Sequence, residues 1–407
     1  MTKAYLAALQ TPDISDYEVQ DNLTELADLA RNAGLEVMDT IIQKKSQAVA
    51  ATYLGLGKIL EISEMLTGAD EIIIFDDELS PAQQGNLSEM LDCPVIDRTQ
   101  LILDIFADRA RSKEGKIQVE LAQLEYLLPR LSGKGKALSR LGGGIGTRGP
   151  GETQLETDRR RIRKRIADLQ SEIDTVKKVR QLQRTGRQRT HAPLVALVGY
   201  TNAGKSTLLS ALTGEETYTA DKLFATLDPL VRRWQISKSE WVFLSDTVGF
   251  IRKLPHTLIA AFRATLEEVI SADLLLHVLD AGHPQVEQQR IAVEEVLREI
   301  GCDSPIVNVY NKIDIVEDTL ITSPEDLQVS ALTKANLDTI GARVSKFFAD
   351  LYVIRNYRIP YDQLALLTFM HEQGEVYQEK YHAHGVTVEV KLKRNAADRL
   401  VKWEYTK

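Results

Sequence analysis

The sequence predicts an α/β chain in four parts, and three observations carry that prediction. Strand-like and helix-like runs alternate over the first hundred residues, the pattern of a parallel sheet with crossover helices. The next stretch reads as purely helical, interrupted by eight glycines between positions 133 and 151. A second alternation opens at Pro193, with a glycine-rich turn set between an apolar strand and a helix. We therefore expect a small parallel α/β domain (1–112), an antiparallel helical hairpin with a basic, glycine-rich loop (113–190), a mostly parallel α/β domain with flanking helices (191–352) and a small α/β subdomain (353–407).

In the first part, AYLAAL (4–9) reads as a strand and 16–34 as an amphipathic helix closing on Gly34. Residues 36–43, 71–77 and 94–97 read as further strands, with helices over 57–67 and 82–91. From Gln118 the pattern is helical: Ile117, Leu121, Leu124 and Leu128 follow a 4, 3, 4 spacing, and Pro129 ends the run. Gly133 to Gly151 is too rich in glycine for helix or packed strand and is expected to be a loop. A second seam, Leu155, Ile162, Ile166, Leu169, Ile173 and Val176, has the near-heptad spacing of a helix that packs back on the first. In the third part, strands are expected at 194–198 and near 240–246, 273–280 and 305–310. In the fourth, 388–393 alternates as a strand.

With 43% hydrophobic and 27% charged residues, the 407-residue chain can bury a sizeable core, which excludes collagen-like and disordered classes. Cys93 and Cys302 form no metal spacing and are too few for a secreted disulfide scaffold, so a reducing cytosol is expected. The start of the chain does not read as a signal peptide, and no apolar run approaches the ~20 residues of a membrane span. A cytoplasmic place follows, without stable membrane insertion and with peripheral association left open. We expect a monomer. Lys and Arg number 50 against 58 Asp and Glu, net −8, yet residues 158–190 hold twelve Lys or Arg against four acids. A run of that kind suits a solvated helix face with a basic linker, or a surface for a polyanion. Three consecutive arginines beside a basic glycine-rich loop favour the polyanion, RNA above all.

The chemistry is concentrated in the third part. Gly199, Tyr200, Thr201, Asn202, Ala203, Gly204, Lys205 and Ser206 fit G-x-x-x-x-G-K-S after a strand, with Thr207 opening the helix behind them. Glycines let backbone N–H groups approach phosphate oxygens, and the helix dipole favours the anion. Lys205 should reach the β- and γ-phosphates, and the Ser206 hydroxyl should bind Mg²⁺. Asp246, in Asp-Thr-Val-Gly249, ends an apolar strand where a carboxylate can hold Mg²⁺, and the Gly249 N–H can sense a γ-phosphate. Phe224, Ala225 and Thr226 precede Leu-Asp-Pro, and Thr226 is a candidate third oxygen for Mg²⁺. Lys205, Thr226 and Gly249 are the candidates for catalysis. Asn311, Lys312 and Asp314 follow the apolar PIVNVY; Asp314 can accept from guanine N1–H and N2–H₂, where adenine offers no such donor pair. A site built on a donor can reject the analogue lacking it by about 10⁴-fold or more. Ser330 and Ala331 would supply backbone groups near the base. Together these segments predict a P-loop GTPase domain that takes GTP and GDP with Mg²⁺. Phe250 stands where Ras-like proteins carry the water-orienting glutamine, which predicts slow intrinsic hydrolysis completed by a partner. Asn202 occupies a slot where asparagine often helps to hold an activating K⁺; capping a turn is its plainer role.

Residues 101–131 and LSRLGGGIGTRGPGETQLETDRRRIRKRI (138–166), with GYTNAGKST, FATLDP, DTVGFI and NKID, resemble the signature of HflX-type GTPases over most of 1–350. That resemblance implies a cytoplasmic, Mg²⁺-dependent GTPase that binds the large (50S) ribosomal subunit and separates or rescues stalled ribosomes under stress, or assists ribosome biogenesis. It also implies rRNA contacts on the loop and hairpin: Arg140, Gly142, Gly143, Gly144, Arg148, Arg159, Arg160 and Arg161. Two other readings stay open, a signalling GTPase that docks a protein on the hairpin and an ATP-driven RNA remodeller working through the N-terminal domain. Weaker signals are the turn Gly55-Leu-Gly57-Lys58, the pair His382 and His384, and Asp76-Asp77 at a strand end, a turn or a cation site. Phe262, Leu266 and Val269 have core-facing helical spacing after Gly249.

Overall fold

The computed structural model describes residues 2–66, 68, 70–131, 154–189, 193–215, 224, 230–238, 240–253, 263–316 and 323–405. For residues 154–155, 177–189, 263–265 and 395 it describes the backbone alone.

The first sheet contains β1 (Lys3–Gln10), β2 (Glu36–Lys44), β3 (Glu71–Phe75) and β4 (Val95–Asp97) in the order β2-β1-β3-β4. All three pairings are parallel. A parallel strand covered by helices on both faces is apolar along its length rather than alternating, and β1 is buried from Ala4 to Gln10. Its helices are α1 (Asp16–Asn32), α2 (Leu56–Met65), α3 (Pro81–Leu91) and α4 (Arg98–Arg109). Ser15 caps α1 by accepting from Glu18 N, and Ser80 and Gln83 close a capping box on α3. Helix α4 falls where the alternation of apolar runs gave no sign of one. Asp97 starts it by accepting from Gln100 N at 2.9 Å.

The hairpin joins α5 (Lys113–Arg130) to α6 (Gln154–Arg189). Ile117 and Leu121 bury against Leu169 and Ile173, the two expected seams. Helix α5 begins five residues before Gln118 because Ser112 caps it, accepting from Gly115 N at 2.9 Å. Pro129 does not end the helix, which runs on to Arg130. Arg165 meets Glu120 with two 2.7 Å hydrogen bonds, fixing the antiparallel register from outside the seam. The expected loop at 133–151 lies outside the described residues.

The second sheet has the order β10-β9-β8-β5-β7-β6, with β5 (Leu194–Gly199), β6 (Leu230–Gln235), β7 (Trp241–Asp246), β8 (Leu274–Asp280), β9 (Ile306–Asn311) and β10 (Leu327–Gln328). Only β6 runs antiparallel to its neighbour, β7. Helices α7 (Lys205–Thr213), α8 (Arg263–Ile270), α9 (Val286–Glu299) and α10 (Leu337–Phe347) accompany it. Leu266 and Val269 of α8 are buried, as their spacing predicts; Phe262 lies outside the described residues. A third sheet, antiparallel in the order β11-β13-β12, is formed by β11 (Tyr352–Ile359), β12 (Glu375–His382) and β13 (Gly385–Lys393). It packs with α11 (Leu364–Gln373) and α12 (Arg394–Arg399). Its link to the second sheet runs through Glu240, which accepts from Lys391 and Ser345. The fold class is the one expected, with strands β6, β10, β11 and β12 added to it.

One hydrophobic core spans the first and third parts. Leu101, Ile102, Ile105 and Phe106 of α4 join a single buried cluster with Phe224, Phe250, Ile251 and Leu266. Phe224 meets Phe106 edge to face, ring centroids 4.5 Å apart. Among the described residues, no helix is long and apolar enough to cross a membrane.

Candidate active site

The site forms at the C-terminal ends of β5, β7 and β9, where an open parallel sheet leaves a crevice. Gly199 ends β5 with φ +151°, and a Cβ there would lie 2.2 Å from the Val278 carbonyl oxygen of β8. Gly204 begins α7 with φ +91°, and its Cβ would fall 2.3 Å from Asn311 Nδ2. Both glycines are therefore fixed by close approach as well as by backbone angle. Asn202 turns the loop at φ +60°, an angle asparagine adopts more readily than other side-chain-bearing residues.

Lys205 is buried, its ammonium donating to the carbonyls of Gly199 at 3.0 Å and Tyr200 at 2.7 Å. Two bonds occupy two of its three donors. Burial pushes its pKa down to about 8, opposed by the Asp246 carboxylate. Ser206 Oγ donates to Asp246 Oδ2 at 2.6 Å, so the expected hydroxyl and carboxylate ligands stand side by side. Hard oxygens of this kind suit Mg²⁺. The neighbouring Thr247 bonds the Leu197 carbonyl at 2.7 Å, tying the end of β7 to β5. Gly249 lies over the loop, and a Cβ on it would be 2.9 Å from Thr201 Cα and 3.1 Å from Lys205 Nζ. Thr207 follows in the first turn of α7.

Asn311 does more than its motif promised. Its Nδ2 donates to the Ala203 carbonyl at 2.9 Å and its Oδ1 accepts from Ala331 N at 2.9 Å. One buried amide thus joins the phosphate loop to the Ser330-Ala331 turn, where Ser330 Oγ in turn accepts from Thr333 N at 3.1 Å. Lys312 takes φ +65° and bonds Asp280 at 2.7 Å. Asp314 sits exposed in the short turn Ile313–Ile315. Leu332, 77% exposed, follows Ala331, and Ile315 follows Asp314 at 62% exposure. Sequence reading missed both, although a large apolar residue beside each of these two segments was there to notice. Phe224 is buried at 3% exposure; Ala225 and Thr226 lie outside the described residues.

Phe250 is buried at 3% exposure in the shared core, its N–H bonded to the Gly199 carbonyl at 3.1 Å and its carbonyl to Thr201 N at 2.8 Å. Its ring therefore packs into the core instead of presenting a group to water. Sequence reading also missed an ionic cluster joining the first part to this site. Buried Arg98 donates to Asp76 at 2.6 Å and Glu25 at 2.6 Å, and Lys253 donates to Asp76 and Asp77. The cations at Asp76-Asp77 are the chain's own. Burial would raise the Asp76 pKa, but Arg98 and Lys253 outweigh it and hold the carboxyl below its ordinary value.

On the hairpin, Arg159 Nη2 donates to the Leu131 carbonyl at 2.7 Å, closing the C-terminal end of α5. Arg160 and Arg161 are exposed. Arg140, Gly142, Gly143, Gly144 and Arg148 lie outside the described residues. His382 bonds Thr387 Oγ1 at 2.8 Å across its strand pair, and Gly55 N is held by Gln43 Oε1 at 2.8 Å.

A six-stranded, mostly parallel sheet with a glycine-bounded loop around a buried lysine, and an asparagine tying that loop to the Ser330-Ala331 turn, define a P-loop GTPase. Family models match in sequence order: GTP-binding GTPase N-terminal over 20–107, GTP-binding GTPase Middle Region over 109–187, and 50S ribosome-binding GTPase over 194–312. The GTPase HflX of Caldanaerobacter subterraneus subsp. tengcongensis is 47% identical over 390 residues, 95% of this chain and 91% of that protein. The GTPase HflX of Escherichia coli strain K12 is 49% identical over 325 residues, 78% of this chain and 76% of that protein. A solved complex of SsGBP with GDP aligns with 86% of this chain and 99% of its own, at 26% identity and a TM-score of 0.47. The chain belongs to the HflX family of GTPases. It binds GTP and GDP and hydrolyses GTP.

Proposed function

We propose that this GTPase acts on the large ribosomal subunit in the cytoplasm, gripping rRNA with its helical hairpin and using GTP hydrolysis to time release. Splitting or rescue of stalled ribosomes under stress, or assistance to ribosome biogenesis, is the work such a cycle performs. The observation that carries this reading is the hairpin itself. It buries Ile117, Leu121, Leu169 and Ile173 on the seam between α5 and α6 and leaves Arg160, Arg161, Arg163 and Lys164 exposed on the outside. A basic, sequence-tolerant surface of this kind suits a phosphate backbone. The description of the family model over 194–312, a 50S ribosome-binding GTPase, supports the same partner.

In this reading the four parts, 1–112, 113–190, 191–352 and 353–407, divide the work, and the rRNA contacts fall on Arg140, Gly142 to Gly144, Arg148 and Arg159 to Arg161. Gly199 to Thr207 hold the phosphates, with Lys205 offering its third N–H as a hydrogen-bond donor to the β- and γ-oxygens. Ser206, Asp246 and Thr226 would hold Mg²⁺, which when bound would supply positive charge against the phosphates. Gly249 N–H reads the γ-phosphate, while the Phe224 ring is spent in the core against Phe106. Asn311, Lys312, Asp314, Ser330 and Ala331 take guanine, with Leu332 offering its exposed side chain to the ring. Asn202 stands where a K⁺ ion would be held. Because Phe250 supplies no hydrogen bond to water, the subunit completes the catalytic arrangement.

The test is GTP turnover with and without purified large subunits at matched K⁺ and Mg²⁺. Stimulation approaching the ~10³–10⁵ of a GTPase activator is expected. No stimulation, with no co-sedimentation in a non-hydrolysable GTP analogue, refutes the reading.

A further inference from the structure

The segment that follows Asp246 is fixed along its length. Phe250 is bonded on both sides to the phosphate loop. Two residues on, the Arg252 N–H donates to the Tyr200 hydroxyl at 2.7 Å, and that hydroxyl donates to Glu25 of α1. The Arg252 guanidinium reaches Asp21 of α1 at 2.5 Å and Gln285 beside α9. Lys253 is held by Asp76 and Asp77. Gly249 immediately precedes these anchors, close against Thr201 and the Lys205 ammonium. Glu25 is itself held by Arg98, at 2% side-chain exposure, so its carboxylate has a fixed address. One phenol hydroxyl therefore joins three elements: the phosphate loop that carries Tyr200, the segment that carries Gly249, and a carboxylate of the N-terminal domain.

We propose that Glu25 is a positioning residue of the GTPase site, acting through the Tyr200 hydroxyl to hold Gly249 where a γ-phosphate is received. Glu25 touches no nucleotide. It fixes the phenol, the phenol fixes the Arg252 amide, and that amide lies three residues from Gly249. A GTPase segment of this type is ordered by γ-phosphate contacts and released without them. A domain that holds it in the receiving position therefore favours GTP over GDP, and by reciprocity GTP favours docking of that domain. The inference rests on reading Gly249 as the γ-phosphate contact.

The test measures affinity for GDP and for a non-hydrolysable GTP analogue in Tyr200→Phe, Glu25→Gln and the double variant. Tyr200→Phe keeps the ring in the core and removes only the hydroxyl. The analogue is expected to bind about tenfold more weakly, within the range of ordinary site coupling. In Glu25→Gln, which lies outside the phosphate loop, GDP affinity stays within about twofold of the original, far less than one decade of binding free energy. The double variant should lose no more than Tyr200→Phe alone, since both changes cut one chain of contacts. An unchanged ratio of the two affinities, or equal loss of both ligands, overturns the proposal. Gly249→Ala in the same assay separates the two levels of argument. If it leaves the ratio untouched, the reading of Gly249 fails; if it lowers the ratio while Tyr200→Phe does not, the coupling through Glu25 fails by itself.

Discussion

Lys205 should take up a proton when nucleotide binds, because the empty site disfavours its charge. The ammonium is buried with two carbonyls and the Asp246 carboxylate for company, and its pKa falls from 10.5 to about 8. That fall is equivalent to about 3 kcal/mol of unfavourable burial. The unfolded chain binds this proton more tightly than the folded one between about pH 8 and 10.5, so the empty protein gains stability as pH rises through that window. Nucleotide phosphates reverse the balance by supplying the missing counter-charge, which raises the lysine pKa in the complex. With the empty-site value near 8, binding should draw in about 0.1 proton at pH 7 and about 0.5 at pH 8. Calorimetry of Mg²⁺–GDP binding in buffers of different ionisation enthalpy reads this number directly, and Mg²⁺ keeps the nucleotide phosphates ionised at both pH values. Asp246→Asn removes the one carboxylate that supports the charge, so uptake at pH 7 should rise above that of the original chain. Binding heats independent of buffer at pH 8 would mean that Lys205 is fully charged in the empty loop, and the argument from its burial would be refuted.

Other perturbations test the same frame from different sides. Gly204→Ala sets a Cβ 2.3 Å from Asn311 Nδ2 on a backbone at φ +91°, and fluorescent GDP should bind at least about tenfold more weakly, the equivalent of 1.4 kcal/mol. Asn311→Ala severs the ties to Ala203 and Ala331 together; a loss of about 1–3 kcal/mol in GDP affinity is expected, and affinity unchanged in titration would show that the two loops are aligned by other means. Asp314→Asn should move preference from GTP toward xanthosine triphosphate in a competition assay, whereas retained guanine selectivity would remove the carboxylate from base recognition. Arg98→Met leaves Asp76 and Glu25 facing each other without their shared cation; denaturant unfolding should show a loss of about 3–5 kcal/mol, smaller if Lys253 alone suffices to neutralise Asp76.

What the sequence made legible follows a physical division. Strands β1, β5 and β8 are buried on both faces, so each is a short apolar run that announces itself, broken in β8 only by the buried His277. Strand β12 is only partly covered, with Tyr377 and Tyr381 exposed, and its residues carry no alternation strong enough to read. Helix α4 was hidden for the opposite reason. Leu101, Ile102, Leu103, Ile105 and Phe106 are all buried, a dense apolar run that masks the narrow polar face of Gln100, Asp104 and Asp108. Its N-cap was still visible, since Asp97 precedes Gln100 by three residues, and Ser112 before Gly115 marked the true start of α5 in the same way. The nucleotide-binding segments were legible because phosphate and base recognition needs fixed residue types at fixed spacing. The cluster of Glu25, Asp76, Arg98, Tyr200, Arg252 and Lys253 obeys no such spacing. Its members come from five separate segments, and any one of them in sequence is an ordinary surface charge or an aromatic. Only the fold, by packing α1 and α4 on the loop after Gly249, turns those residues into a contact between the N-terminal domain and the loop beside Gly249. The same packing explains why Phe250 replaces a polar residue there: a side chain that must enter a core shared by two domains gains by being apolar and loses any means of holding water.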